Sequence, residues 1–292
     1  MMYDDFSLDY DRFINWNNRL GFELPFIEQQ LQAAGVRSVL DAATGTGMHA
    51  IALAQRGYQV AGADLSPGMI AVARQNAQRA GVSVEFLEAG FGELAAAFGI
   101  EPKLGYAHNL EDRADLHPPA TSIPAISNPN SPTGRPSFDA VLCLGNSLPH
   151  LLTPADLGKA LDDFADCLNP GGLLIIQNRN FDVVLHNHQR WMEPQTHQEG
   201  AQEWIFLRFY DFRPDGLIDF NILTWQRSAG GAWQQRVSVT QLYPQRQEGL
   251  ILALQAARFS QIASYGGLNG APFEPLKSGN LVLVAQLGQQ AT

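Results

Sequence analysis

Between Val39 and Asp64 apolar runs alternate with short polar or glycine-rich turns, in the sequence VLDAATGTGMHAIALAQRGYQVAGAD. This order predicts a strand, a tight turn, a helix and a second parallel strand, the β-α-β unit from which nucleotide sites are built. Gly45 and Gly47 leave room for a ligand to approach the backbone, and the helix that begins near Met48 directs unpaired N–H groups to the same point. Because Asp64 ends the second strand, we expect it to accept the hydroxyl hydrogens of a ribose. The unit therefore predicts an adenosine-type ligand.

Two classes of ligand fit this unit. The segment from Gly45 to Ala50 matches the G-x-G-x-x-G/A pattern of dinucleotide sites, and Asp64 lies about twenty residues further on. Asp41, however, stands at the tip of the first strand, where a carboxylate repels a pyrophosphate but suits an ammonium group. S-adenosylmethionine (SAM) has that ammonium group and no phosphate, which favours SAM. The alternative for Asp41 is a structural role as the cap of the turn or of the following helix.

The first 35 residues predict helices. Four aromatic residues at a helical spacing favour one packed face, and they are Phe6, Tyr10, Phe13 and Trp16. Arg19 follows, and ELPFIEQQLQAAGV predicts a helix with Pro25 in its first turn and Gly35 at its end. We expect this region to lie over the glycine loop as a lid.

The pattern continues with Ser66-Pro67, which opens a helix that Gly81 ends, and with the strand VSVEFLEAG. Residues 102–136 contain seven prolines and little apolar periodicity. Such a composition buries too little apolar area to offset its ordering entropy, so we interpret it as a surface insertion. A binding segment for a proline-recognising partner is the alternative.

Further strands are predicted at FDAVLCL and LLIIQNRN, with a helix from Pro154 to Leu168 and a turn over 169–172 between them. Ligands bind at the carboxyl ends of the strands in open α/β sheets. Five residues at strand ends should therefore meet in one crevice, namely Asp41, Asp64, Gly90, Asn146 and Arg179.

From residue 204 the pattern changes to the alternating segments WIFLRFYDF, GLIDFNILTW and WQQRVSVTQLY, which predict an antiparallel meander. A helix near 246–258 and strands near 260–265 and 280–288 should return the chain to the main sheet. The three tryptophans of the meander are expected in its core, and they are Trp204, Trp225 and Trp233.

The composition of the chain restricts the kinds of partner that it is expected to bind. The 292-residue chain has a formal net charge of −10, so it lacks the basic field that attracts nucleic acid or an anionic membrane. Cys143 and Cys167 lie in apolar segments and predict reduced core thiols. We find no signal peptide or membrane-length apolar run, and the cytoplasm is the expected location. His186, His188 and His197 match no metal signature and are expected at the surface.

The ordered segments VLDAATGTG, ADLSPGM, FDAVLCLGNSLPHL and LNPGGLLIIQNRNFD resemble class I SAM-dependent methyltransferases over nearly the whole chain. CLGNSLPHL and NRNFD, with LYP near the end of the strand insertion, are similar to glycine N-methyltransferase and its sarcosine-methylating relatives. The resemblance implies an α/β fold, a Rossmann-like seven-stranded sheet with an inserted antiparallel meander. It does not extend to residues 102–136.

The resemblance also implies an organisation and a reaction. Residues 1–35 would form the helical lid, 36–185 the SAM-binding domain, 186–245 the substrate-side insertion, and 246–292 the last helix and two strands. The reaction would move the methyl group of SAM to the amine nitrogen of a small amino acid and leave S-adenosylhomocysteine. A homo-oligomer is a candidate assembly.

The residues implied for the cofactor are Arg19, Asp41, Ala43, Gly45, Gly47, Asp64, Leu65, Met69, Gly90, Phe91 and Leu144. Among them Arg19 would pair with the carboxylate of SAM and Asp64 would hold the ribose. Gly90 and Phe91 stand where the family has Asn-Trp, so Phe91 can still stack on adenine while Gly90 leaves recognition to backbone groups.

For the substrate, the family places an arginine at Arg179 to bind a carboxylate and an asparagine at Asn146 whose oxygen orients the amine. A guanidinium matches a carboxylate with two hydrogen bonds, and an amide oxygen accepts from N–H. Tyr243 matches a tyrosine on the substrate side. Phe220 stands where the family has tyrosine, and the missing hydroxyl favours a larger or N-alkylated amino acid over glycine.

Structural roles are the alternatives for these residues. Arg179 could pair with Asp182 in the interior, and Asn146 could bind only the backbone of its turn. His150, near the crevice, is either a general base or, as we favour, a capping or packing residue.

Direct transfer needs the nitrogen, the methyl carbon and the sulfur in line, with the reacting atoms about 3 to 3.5 Å apart. A site that binds the unprotonated amine needs no base and predicts an alkaline optimum. Other interpretations are a methyltransferase for an unrelated small molecule, a nicotinamide oxidoreductase and a non-catalytic SAM-binding module.

Overall fold

The computed structural model describes residues 10–12, 14–101 and 137–289, which form eleven strands in two sheets. The strands are β1 (Ser38–Asp41), β2 (Gln59–Asp64), β3 (Glu85–Glu88), β4 (Phe138–Cys143), β5 (Leu168–Arg179), β6 (Gln195–Glu199), β7 (Gln202–Phe212), β8 (Ile218–Ser228), β9 (Gln234–Leu242), β10 (Phe259–Tyr265) and β11 (Asn280–Leu287). The α-helices with defined bounds are α1 (Trp16–Ala33), α2 (Met48–Ala54), α3 (Pro67–Ala80), α4 (Leu94–Ala97), α5 (Pro154–Cys167), α6 (Phe181–His186) and α7 (Gln247–Ala256), and Leu148–His150 form a short 3-10 helix.

The main sheet has seven strands in the order β10-β11-β5-β4-β1-β2-β3. Strands β1 to β5 run parallel, whereas β11 runs antiparallel to both β5 and β10. Helices α1 to α3 pack on one face of this sheet and α4, α5 and α7 on the other, so apolar side chains are buried on both faces. The predicted α/β fold with a Rossmann-like seven-stranded sheet is confirmed.

Helix α3 shows how local sequence sets a boundary next to the cavity described below. The Ser66 hydroxyl accepts a hydrogen bond from the backbone N–H of Met69 at 3.2 Å, Pro67 occupies the first helical position, and Gly81 ends the helix in the left-handed region at φ 68°. These are the signals from which the helix was predicted.

The predicted start of the first helix is wrong. Helix α1 begins at Trp16, so Pro25 lies inside the helix instead of in its first turn. The face that includes Leu24, Ile27 and Leu31 is buried against the main sheet, and we attribute the tolerance of the proline to this burial. Phe6, Phe13 and the insertion 102–136 lie outside the described residues.

The second sheet has four antiparallel strands in the order β6-β7-β8-β9, and it contains the predicted meander. Strand β6 was not predicted, because its sequence QTHQE contains no apolar residue. It forms by pairing with β7, where His197 lies opposite Trp204. His197 is therefore half-buried instead of exposed, with its ring centroid 5.7 Å from that of Trp204. Trp204 is buried as predicted, but Trp225 is half-buried and Trp233 is exposed.

Cys143 and Cys167 are buried and unbonded to each other, as predicted. Within the described part of the chain, no helix combines the length and the apolar character that crossing a membrane requires.

Candidate functional site

A cavity of about 1100 Å³ opens where the carboxyl ends of the parallel strands face the four-stranded sheet. Twelve predicted site residues line it, namely Arg19, Asp41, Ala43, Gly45, Asp64, Leu65, Met69, Gly90, Phe91, Leu144, Asn146 and Arg179. The five strand-end residues that were expected to converge are all among them.

Two predicted site residues are not among the described residues that line the cavity. Gly47 has φ 80°, and a Cβ there would come within 2.9 Å of the Phe86 ring and 3.0 Å of the Ala73 Cβ. Its lack of a side chain is thus required by packing beneath the turn. Tyr243 donates its backbone N–H to the Pro149 carbonyl at 2.7 Å, beside the cavity wall and not in it.

One end of the cavity is built around Asp64. One carboxylate oxygen accepts the backbone N–H of Gly45 at 2.9 Å, and the other accepts that of Ser66 at 2.9 Å. These two backbone hydrogen bonds fix the orientation of the carboxylate at the cavity wall. Leu65 is 50% exposed beside it, and a Cβ on Gly90 would lie 3.2 Å from the Leu65 side chain. The glycine therefore keeps open a slot along an apolar side chain.

Asp41 lies deeper and is buried. Its carboxylate accepts a hydrogen bond from the Thr44 hydroxyl at 2.9 Å. Burial raises the pKa of the Asp41 carboxyl, although this hydrogen bond opposes the shift. Asp41 does not cap α2, whose N-cap is Gly47. A buried acid of this kind is suited to a cationic ligand group, which would offset the cost of its charge.

Arg19 is held by two residues that were not predicted. Its Nε donates to both carboxylate oxygens of Glu23 at 3.1 Å, and Glu23 is 2.7 Å from Nε2 of His49. Burial raises the pKa of Glu23, but the hydrogen bond with His49 and the charge of Arg19 outweigh it and hold the pKa below its ordinary value. The sequence offered no signal for this cluster, because the residues come from α1 and α2.

The N-terminal residues 10–12 cover the glycine turn. The Tyr10 ring edge is 3.9 Å from the place that a Cβ on Gly45 would take. Burial raises the pKa of the Tyr10 hydroxyl, with the charge of Arg19 opposing the shift. Asp11 accepts hydrogen bonds from the Thr46 hydroxyl at 2.6 Å, the Trp16 indole at 2.7 Å and the Asn76 amide at 3.2 Å.

Arg12 connects the same segment to the second sheet. Its Nε is 3.0 Å from a carboxylate oxygen of Glu199, and its guanidinium lies 4.7 Å from the ring centroid of Trp204. Because Asp11 contacts the glycine turn and helices α1 and α3 while Arg12 contacts the second sheet, the segment bridges the two walls of the cavity.

The other end of the cavity holds Asn146 and Arg179. Asn146 has φ 68°, a conformation that asparagine tolerates, and its side-chain oxygen accepts the backbone N–H of Arg179 at 2.8 Å. The Nε of Arg179 is buried, and no described residue accepts a hydrogen bond from it. The proposed structural pair with Asp182 is wrong, because Asp182 binds Nε of Arg246 at 2.7 Å.

The four-stranded sheet adds three residues that were not predicted, namely Arg208 and Tyr210 from β7 and Ile222 from β8. Phe220 from β8, which the resemblance placed on the substrate side, also lines the cavity. Burial lowers the pKa of Arg208 to about 10, and the charge of Arg179 acts in the same direction. Burial raises the pKa of Tyr210 to about 12, while both arginines oppose the shift. Two guanidinium groups therefore contribute positive charge to this end.

His150 also lines the cavity. Burial lowers its pKa to about 4, so its imidazole is neutral near pH 7.

The family model described as a methyltransferase domain matches residues 39–100. The glycine/sarcosine N-methyltransferase of Parasynechococcus marenigrum is 35% identical over 182 residues, 62% of this chain and 52% of that enzyme. The chain thus spans about half the length of this relative. A Geobacillus sp. protein that carries a methyltransferase name is 33% identical over 206 residues, 68% of each chain.

Among solved structures, a SAM-dependent methyltransferase of Clostridium acetobutylicum superposes with a TM-score of 0.68. The alignment covers 98% of this chain and 99% of that chain at 14% sequence identity. At this low sequence identity, the similarity indicates a shared fold and nothing further.

Proposed function

Because the chain belongs to the SAM-dependent methyltransferases, we propose that it methylates the amine nitrogen of a small, carboxylate-bearing amino acid. The observation that carries the proposal is the polarity of the cavity. Acidic residues stand at the strand tips of β1 and β2, and two arginines stand at the opposite end. One end suits the ammonium and ribose groups of the donor, and the other suits the carboxylate of an acceptor.

The donor end fits SAM on features of this chain. Asp41 is a buried acid suited to the ammonium group, Asp64 is a carboxylate fixed by two backbone N–H groups and suited to ribose hydroxyls, and Arg19 is a candidate for the carboxylate of SAM. Leu65 and Phe91 would flank the adenine. Bound SAM supplies a methyl group that its sulfonium already activates, so the protein has little covalent work to do.

The acceptor end favours a carboxylate. The Nε of Arg179 is buried without a described acceptor, and a ligand carboxylate would supply one. Arg208 adds a second positive charge at the same end. The remaining lone pair of the Asn146 oxygen is available to an amine N–H, which would orient the nitrogen.

The protein's own part in the reaction is positioning. Residues 10–12, with Tyr10 over the glycine turn, cover the donor end, which would limit water there. His150 is neutral near pH 7, but we assign it no proton transfer. Selection of the unprotonated amine by the site would suffice, and the rate should then increase with pH.

The apolar side of the acceptor end favours a second candidate within the same chemistry. Phe220 and Ile222 present no hydroxyl to the cavity. The absence of a hydroxyl partner would therefore reduce the binding free energy of an N-alkylated or larger amine less than that of glycine. A methyltransferase for a small molecule unrelated to amino acids remains the alternative. A formal charge of −10 supports small molecules over nucleic acid as substrates.

The test is a coupled assay of S-adenosylhomocysteine release with SAM and glycine, sarcosine, dimethylglycine, other amino acids and simple amines. We expect turnover on a carboxylate-bearing amine, and Arg179→Ala should raise its KM about 100-fold or more. Arg246→Ala is the matched control, because it removes an exposed arginine outside the cavity. Turnover restricted to amines without a carboxylate would overturn the proposal.

A further inference from the structure

The four-stranded sheet has two faces, and only one of them lines the cavity. Successive residues of a strand point to opposite faces. Arg208, Tyr210, Phe220 and Ile222, which line the cavity, are all at even-numbered positions of β7 and β8. The odd-numbered residues of β7, β8 and β9 therefore form the opposite face, which we call the outer face together with Trp191.

The centre of the outer face is apolar. The strand register places Leu207 beside Leu223 and Leu223 beside Val237, and Trp191 bridges to Phe209. The apolar members are Trp191, Ile205, Leu207, Phe209, Leu223, Trp225, Val237 and Val239. Trp191, Val237 and Val239 are 52%, 53% and 51% exposed, and the other members are half-buried. Isolated exposed apolar residues are ordinary, but a contiguous patch of this size marks an interaction site.

Charged residues flank this centre, and they are paired. At one end Arg227 is 2.7 Å from Glu203. At the other end Arg213 is 3.4 Å from Asp219, and Arg190 binds Asp211.

Each end of the outer face therefore carries both signs of charge. The chain as a whole has a net charge of −10, so two copies repel each other over most of their surfaces. This repulsion is weakest where charges are balanced.

We propose that the outer face is a homotypic interface, on which two copies of this chain pack sheet against sheet about a two-fold axis. An isologous contact requires a surface that complements itself. An apolar centre with paired charges at both ends meets this requirement, because rotation brings arginines of one copy near acids of the other. The aromatic residues in the centre and the arginines at its edges match the usual composition of protein interfaces.

The area is sufficient for such a contact. Strands β7 and β8 have 11 residues each. With about 3.4 Å per residue and about 4.8 Å between strands, these two strands and the 9 residues of β9 cover roughly 500 Å² per copy. Two such faces would bury about 1,000 Å² in total, which is about the least area expected of a biological interface. This inference does not depend on the proposed activity.

Sedimentation equilibrium of the full chain tests the proposal. We expect the wild-type protein at micromolar concentration to have twice the 32.0 kDa mass of the chain. The double variant Val237→Lys/Val239→Lys would place unpaired charges in the apolar centre. It should weaken self-association by roughly 100-fold, so that the variant sediments as a monomer.

Leu252→Lys/Leu276→Lys is the matched control. It adds the same charge at two leucines that are 60% and 54% exposed and lie outside the outer face, and it should remain a dimer. Circular dichroism would confirm that both double variants are folded. A wild-type monomer would overturn the proposal, including the case in which residues 102–136 of the same chain cover the face. Equal dissociation of both double variants would also overturn it.

Discussion

The side-chain oxygen of Asn146 accepts the backbone N–H of Arg179 at 2.8 Å, which ties the turn after β4 to the end of β5. The two acceptor-end residues therefore form one unit. The bond agrees in part with a structural role for Asn146, because its side-chain oxygen accepts a hydrogen bond from a backbone N–H. One lone pair remains, so a structural role and a role in orienting the amine are compatible.

We expect Asn146→Gly to raise the KM for the acceptor about tenfold or more, because it removes the bond that positions Arg179. Glycine accepts the left-handed conformation at this position, so the change introduces no backbone strain. Steady-state kinetics should show the effect on the acceptor, while the affinity for SAM stays within about twofold. In the Asn146→Gly/Arg179→Ala double variant the two effects should not add, and full additivity would argue against the coupling.

Asp64→Asn should weaken the binding of S-adenosylhomocysteine about tenfold to 100-fold, because an amide replaces a fixed carboxylate that accepts from donors. Isothermal titration calorimetry measures this directly. Glu88→Gln is the matched control, because Glu88 lies opposite Asp64 in the register of β2 and β3 but does not line the cavity. Equal losses in both variants would indicate a general effect of charge instead of a specific contact.

Thr46→Val should loosen the N-terminal segment, because it removes the hydroxyl that donates to Asp11 at 2.6 Å. We expect the KM for SAM to rise several-fold, and amide exchange in residues 10–12 should become faster. Thr46→Ser keeps the hydroxyl and should restore both values. A rise in KM that serine does not reverse would indicate a packing effect.

His150 should make stability depend on pH. Burial lowers its pKa to about 4 in the folded chain, so between pH 4 and about 6.5 the unfolded chain binds more protons. This contribution to stability is complete above about pH 6.5 and is lost as the pH falls toward 4, up to about 3 kcal/mol. Urea unfolding at several pH values should show a flatter profile for His150→Gln than for the wild type. Parallel profiles would contradict the lowered pKa.

The main sheet could be predicted because its strands are buried on both faces, which produces continuous apolar runs, and because helix α3 has clear capping signals. The strand ends could then be brought together by the general geometry of parallel sheets. Local sequence and one rule of topology are therefore enough to place Asp41, Asp64 and Arg179 on the same cavity.

The remaining features depend on contacts between distant segments. Strand β6 exists through its pairing with β7, and its own sequence gives no strand signal. Alternation in β7 shows that Arg208 and Tyr210 share a face, but it cannot tell which face meets the cavity. Gly47 looks like a ligand-binding glycine in sequence, and only the position of Phe86 reveals that packing excludes a side chain there.

Because both cysteines are buried, the rate at which a reagent labels their thiols measures how often the folded chain opens. Cys143 ends β4, directly before the cavity, and burial raises the pKa of its thiol, so the folded chain offers almost no thiolate to a labelling reagent. Cys167, at the end of α5, is buried as well. Any labelling of the unmodified chain must therefore report transient exposure of the strand or the helix, and its slowing on addition of a ligand would measure how firmly that ligand holds the sheet closed.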